Sequence, residues 1–150
     1  DAVTGSLTRI DIRGEGGQTI KDKWAYGPRN YLGLQTAGFP NFFIAINTAF
    51  CNYTVCAESI VEWITDAIRY VRQRGLKSIA PTPQVEDAWI EYINKVAAGS
   101  IFTKAKSAWF MGTNIPGKPR AVLLNPLPAP AYRAKCTEAA AKGYEGFVLQ

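Results

Sequence analysis

The chain contains no histidine. That removes the usual acid–base group of neutral pH and the commonest metal ligand. Ser-His-Asp and Cys-His sites are excluded with it. Cysteine is scarce: Cys51, Cys56 and Cys136 are the whole set, an odd number without metal-ligand spacing. This favours a reducing, cytoplasmic setting, although a Cys51–Cys56 link is conceivable. The apolar runs are far too short to span a bilayer, so no membrane partner is expected. No dinucleotide fingerprint G-x-G-x-x-G is present. Its nearest approach, Gly14-Glu15-Gly16-Gly17-Gln18-Thr19, lacks the last glycine and a strand-to-helix context. No signal peptide is visible, and a start at Asp1 rather than Met leaves a trimmed N-terminus open.

What is present describes an ordinary globular chain. Its 150 residues are 47% hydrophobic and 19% charged, a balance that argues against disorder. A chain of this size buries about 68–70% of its unfolded surface, enough for a real core. Without repeats, low-complexity tracts or linkers, residues 1–150 are expected to form a single α+β domain with a few short strands, three main helices and long ordered loops. The net charge is +5, but the cations are dispersed: Arg69, Arg72 and Arg74 close a helix, Lys104 and Lys106 sit in a loop, and Lys118 and Arg120 flank Pro119. Basic residues at a helix C-terminus suit its dipole, and no nucleic-acid module is recognisable. Asn52-Tyr53-Thr54 matches a glycosylation sequon, a pattern short enough to arise by chance.

Alternation over Leu7–Ile12 predicts a strand, with Gln18-Thr19-Ile20 pairing back across a glycine turn. The aromatic and glycine-rich stretch 21–41 predicts an ordered loop, and the apolar run Phe42–Ile46 a strand buried on both faces. Helical spacing of Ala57, Ile60, Val61, Ile64, Ala67, Ile68 and Val71 predicts a helix over about 54–74, stopped by Gly75. Glu58 and Glu62 lie four apart on its outer side, as solvated carboxylates commonly do. Thr82 as N-cap and Pro83 in the first turn begin a second helix with a buried stripe of Val85, Ala88, Trp89, Tyr92, Ile93 and Val96. Residues 100–120 read as a long loop and Val122-Leu123-Leu124 as a short strand. Pro126, Pro128 and Pro130 bar regular structure where they stand. A third helix spans about 131–142, and Phe147-Val148-Leu149 forms an edge strand.

Three stretches carry a resemblance: Lys23 to Gly33 (KWAYGPRNYLG) followed by Gly38-Phe39-Pro40-Asn41-Phe42-Phe43; Trp109 to Arg120 (WFMGTNIPGKPR); and Tyr132-Arg133 with Gly143 to Leu149 (GYEGFVL). Together they resemble the C-terminal third of flavin-dependent Baeyer–Villiger monooxygenases of the phenylacetone and cyclohexanone monooxygenase type. The resemblance implies a whole enzyme that binds FAD and NADPH through two Rossmann-type domains. It also implies a Gly-Pro-Gly-Ser-Pro loop against the flavin after the Phe42–Ile46 strand. Here that loop reads Asn47-Thr48-Ala49-Phe50-Cys51-Asn52-Tyr53 and is a few residues shorter. The resemblance further implies that Trp109 and the Asn114–Lys118 turn belong to a mobile loop that folds over cofactor and substrate.

With neither fingerprint nor flavin loop, no cofactor and no metal is expected. The expected activity is a cofactor-free cyclase or isomerase. It would close a ring on a hydrophobic small molecule, as in a Diels–Alder-like step of natural-product biosynthesis, by shape restraint and one or two hydrogen bonds. The expected catalytic residues are Asn52, Tyr53, Trp109 and Tyr132; Trp24, Tyr26, Asn47, Phe50, Phe110, Asn114 and Lys118 are expected to bind substrate. The alternatives are the C-terminal substrate-pocket portion of an FAD/NADPH Baeyer–Villiger monooxygenase and a non-catalytic ligand-binding protein. Uncovered edges of the remnant predict a homodimer or higher homo-oligomer, with no nucleic-acid partner.

Overall fold

The computed structural model describes residues 4–45 and 53–150. Among the described residues four α-helices carry the fold: α1 (Ile20–Lys23), α2 (Tyr53–Gln73), α3 (Pro83–Ala98) and α4 (Ala129–Ala141). One antiparallel pair, β1 (Ile79–Pro81) and β2 (Phe147–Leu149), brings the end of the chain beside the segment that links α2 to α3. The architecture is α+β. No helix among the described residues is long and apolar enough to cross a membrane.

Local chemistry sets the helix boundaries. Gly75 takes φ 67° after α2 and donates to the Arg72 carbonyl, and Leu76 donates to that of Val71. At α3 the Thr82 hydroxyl accepts from the Val85 N–H, as its N-cap role requires. Pro130 lies in the first turn of α4 rather than barring it, because first-turn N–H groups have no acceptor within the helix. The buried positions of α2 are Cys56, Ile60, Trp63, Ala67 and Val71. The stripe is therefore rotated from the expected one: Val61 and Ile68 are exposed, and the indole of Trp63 turns inward.

Three expected strands do not form among the described residues. Leu7–Arg9 is a 3-10 turn; only Arg13 bridges Thr19, with the Ile20 N–H on the Ile12 carbonyl. Phe42 and Phe43 are half-buried, not buried on both faces, and a single Gln35–Phe43 bridge is the pairing there. Asn41, at φ 59°, turns the chain just before them. Ile46 lies outside the described residues. Ala121 and Leu123 donate to the carbonyls of Met111 and Phe110, so 122–124 follows a 3-10 turn (Trp109–Met111) instead of a strand. Conversely β1, unexpected from its sequence, forms because β2 supplies its partner.

The main core gathers α2, α3 and α4 around Leu32, Leu34, Trp63, Trp89, Ile93, Leu127 and Tyr132. A smaller cluster of Ile20, Trp24, Phe39 and Ile44 lies under α1. The two glycine-bearing turns 14–17 and 38–40 meet there. A Cβ on Gly14 would stand 2.2 Å from the Gly38 carbonyl oxygen, a backbone atom, whereas one on Gly16 would meet nothing. Gly14→Ala is therefore expected to cost about 1–3 kcal/mol by overpacking. Gly16→Ala carries only the left-handed penalty, about 1 kcal/mol. Urea unfolding of the two variants checks the order.

Candidate functional site

The most tightly organised polar centre is the buried carboxylate of Glu86 on α3. Only 1% of the residue is exposed. One carboxylate oxygen accepts from the Ala37 N–H at 2.8 Å; the other receives Lys23 Nζ at 2.8 Å and faces Arg29 Nε at 3.6 Å. Arg29 also pairs with Asp87. The Arg29 carbonyl accepts from Trp24 Nε1 at 2.9 Å and from the Thr36 hydroxyl at 2.8 Å. This web ties α1, α3 and the buried stretch 32–37 into one unit. Its charges are matched and its acceptors filled, so its chemistry is positioning. Sequence periodicity missed Glu86, which falls among apolar stripe positions; an acidic residue inside that stripe is the signal that marks it.

The expected site residues are spread over separate surfaces. Asn47, Phe50 and Asn52 lie outside the described residues. Tyr53 is exposed at the start of α2. Trp24 and Lys118 share a cleft of about 520 Å³ between α1 and the 115–119 turn, where Lys118 Nζ donates to the Thr4 hydroxyl at 2.8 Å. Burial lowers the Lys118 pKa from its ordinary value. Trp109 is exposed and meets Phe110 edge to face, with centroids 5.9 Å apart. Asn114 is exposed on the same loop. Tyr26 is 88% exposed and lines a different cavity.

Tyr132 is buried in the α2–α4 region, and its hydroxyl donates to the Leu32 carbonyl at 2.8 Å. Burial, with Cys136 beside it, holds its phenol well above the ordinary value. Burial likewise pushes the Cys136 thiol up to about 11, against a lowering contribution from Tyr132. Both groups therefore bind their protons more tightly folded than unfolded. Their stabilisation is complete below the unfolded values and declines as pH rises through the alkaline range. For Cys136 that window runs from 9.0 to about 11. The expected loss there is roughly 2–3 kcal/mol. Urea midpoints measured at intervals across this window should fall for the wild type and fall less for Cys136→Ala. Cys56, at the start of α2, is disulfide-bonded, and Cys136 is a free, buried thiol.

Residues 14–19 do not form the phosphate-binding turn of a dinucleotide fingerprint. Glu15–Gly17 is a 3-10 turn with Gly16 at φ 65°, and the four-residue α1 begins only at Ile20. Gly14 packs against the Gly38 carbonyl, so the space beside it is filled by backbone. Of the altered loop, Asn47–Tyr53, residues 47–52 lie outside the described residues.

No model of a protein family matches the chain. Individual relatives match it throughout. It is 44% identical over 154 residues to an acetone monooxygenase (methyl acetate-forming) of Gordonia sp. strain TY-5, covering 99% of this chain and 29% of the relative. It is 37% identical over 152 residues to a cyclohexanone 1,2-monooxygenase of Acinetobacter, covering 100% of this chain and 28% of the relative. The closed crystal structure of a cyclohexanone monooxygenase superposes with a TM-score of 0.94 at 42% identity, over 99% of this chain and 28% of that one. A complex of OTEMO with FAD and NADP gives a TM-score of 0.91 at 38% identity, over 99% of this chain and 27% of that one. The chain thus spans rather under a third of the length of the curated relatives it matches.

Proposed function

From a chain homologous over its whole length to the C-terminal portion of Baeyer–Villiger monooxygenases, we propose that it serves as the corresponding portion of such an enzyme. In that role it completes the substrate side of a site whose flavin and nicotinamide cofactors are held elsewhere. The reaction class is insertion of one oxygen atom beside a ketone carbonyl. The observation that carries this function is the superposition at TM-score 0.94 with 42% identity across 99% of the chain.

FAD would supply the oxygen-activating chemistry. The contribution of this chain is architectural. The Glu86 web fixes the 32–37 stretch, from which the chain continues through the Gly38–Asn41 turn to residues 46–52. The 109–118 loop carries Trp109 exposed, a placement that suits contact with a ligand or another segment. Val61 and Ile68, seven apart on one stripe of α2, are 51% and 37% exposed. An apolar stripe of this kind suits cover by the remainder of a longer polypeptide.

A cofactor-free cyclase finds no support among the relatives, which are monooxygenases. Of the described donors expected for it, Tyr132 is buried with its hydroxyl on the Leu32 carbonyl, whereas Tyr53 and Trp109 are exposed on α2 and the 109–118 loop. Grafting tests the proposed role. With the matching segment of the Acinetobacter cyclohexanone monooxygenase replaced by this chain, the purified chimera is expected to retain FAD and its yellow colour. A folded, colourless chimera would contradict the proposal.

A further inference from the structure

We propose that a second cavity, between the 23–29 loop and α3, binds a small organic anion through Arg120. The cavity measures about 250 Å³. Among the described residues its charged lining groups are Lys23, Arg29 and Arg120, with no carboxylate. The carboxylates that balance the web, Glu86 and Asp87, pair with Lys23 and Arg29 from outside the lining. Among these groups, three cations against two carboxylates leave one positive charge in excess beside the cavity.

Arg120 carries that charge in a fixed pose. Its Nη1 donates to the Ala105 carbonyl at 3.2 Å and its Nη2 to that of Thr103 at 2.5 Å. Neutral carbonyls orient the guanidinium without cancelling its charge, and its remaining N–H groups are suited to a carboxylate or phosphate. Ile90 and Ile93 of α3 give the cavity an apolar wall, and exposed Tyr26 stands at its margin. The opposite rim is held close: a Cβ on Gly27 would come within 2.7 Å of the Ala121 Cβ. An apolar wall beside a positive rim fits an anion with a hydrocarbon or aryl body; a carboxylate and a phosphate share the chemistry needed.

The test titrates the isotopically labelled chain with benzoate and, separately, with inorganic phosphate, followed by amide chemical shifts. Saturable shifts at Tyr26, Asn94 and Val122, weakened by added sodium chloride, are expected for at least one probe. Benzoate alone would mark a carboxylate site with an apolar requirement, and phosphate alone a site for the phosphate group itself. Arg120→Gln, checked for folding by circular dichroism, is expected to weaken binding about tenfold. If that variant fails to fold, the wild-type shift map decides by itself. Absence of saturable shifts, shifts centred on the Lys118 cleft instead, or an Arg120→Gln chain that binds as well as wild type would overturn the proposal.

Discussion

Glu86→Ala is expected to lower the unfolding free energy by about 3–5 kcal/mol, the cost of breaking a buried ion pair from one side. The substitution strands Lys23, whose side chain is only 17% exposed, and removes the acceptor of the Ala37 N–H. It also releases Arg29 from one of its two carboxylates. Glu86→Gln separates these effects. A carboxamide oxygen can still accept from Ala37, so its cost comes from the lost pairing with Lys23 and should be smaller. A double substitution, Glu86→Gln with Lys23→Met, removes the charge on both sides and should recover part of the loss. Urea unfolding of the three variants gives the order. A loss below about 1 kcal/mol for Glu86→Ala would mean that water reaches and solvates the site, a cost typical of exposed pairs.

Trp63→Ala should be comparably damaging, at about 3–5 kcal/mol. The indole is buried on α2, with Tyr144 at 5.3 Å and Phe147 at 5.6 Å between ring centroids. Its Nε1 donates to the Cys136 carbonyl at 2.9 Å and so links α2 to α4 directly. Trp63→Phe retains a ring but leaves that carbonyl without this donor, at an expected cost of roughly 1–2 kcal/mol. The near-ultraviolet circular dichroism of Trp63→Phe should stay native-like while its urea midpoint falls. Equal stability of Trp63→Phe and Trp63→Ala would contradict the ring packing as the main contribution.

The helices were legible because their signals are local. Thr82, Pro83, Gly75 and Gly143 mark ends in a single strand of text, and the structure has α2 and α3 within a residue or two of those marks. The strands were not, because pairing depends on distant residues. Ile79-Ala80-Pro81 has no strand signature of its own and forms β1 only against Phe147-Val148-Leu149. Phe42-Phe43 has the signature and lacks a continuous partner among the described residues. Tyr144 is a further case: it takes φ 62°, a conformation usually left to glycine, and its buried ring packs against Trp63 and Tyr70. Nothing in its neighbours along the chain announces that packing.

The ancestry was legible too, since the motifs that carry it run the length of the chain. The chemistry was less so. Loss of the glycine fingerprint and of the flavin loop suggested a cofactor-free catalyst, and aromatic residues in loops suggested its pocket. In three dimensions those aromatics part company: Trp24 lies beneath α1, Tyr132 is locked to Leu32, Tyr26 faces solvent, and Trp109 stands out on its loop. Composition identifies such side chains but carries no information about whether they converge.

The decisive measurement is product formation by the grafted cyclohexanone monooxygenase. The FAD-loaded chimera is incubated with NADPH, oxygen and cyclohexanone, and ε-caprolactone is quantified against NADPH consumed. Lactone formation above that of the enzyme lacking the segment is expected, with none from this chain alone. A flavin-loaded chimera that makes no lactone, together with an isolated chain that closes a ring on an unsaturated ketone without cofactor, would contradict the assignment to the monooxygenase site.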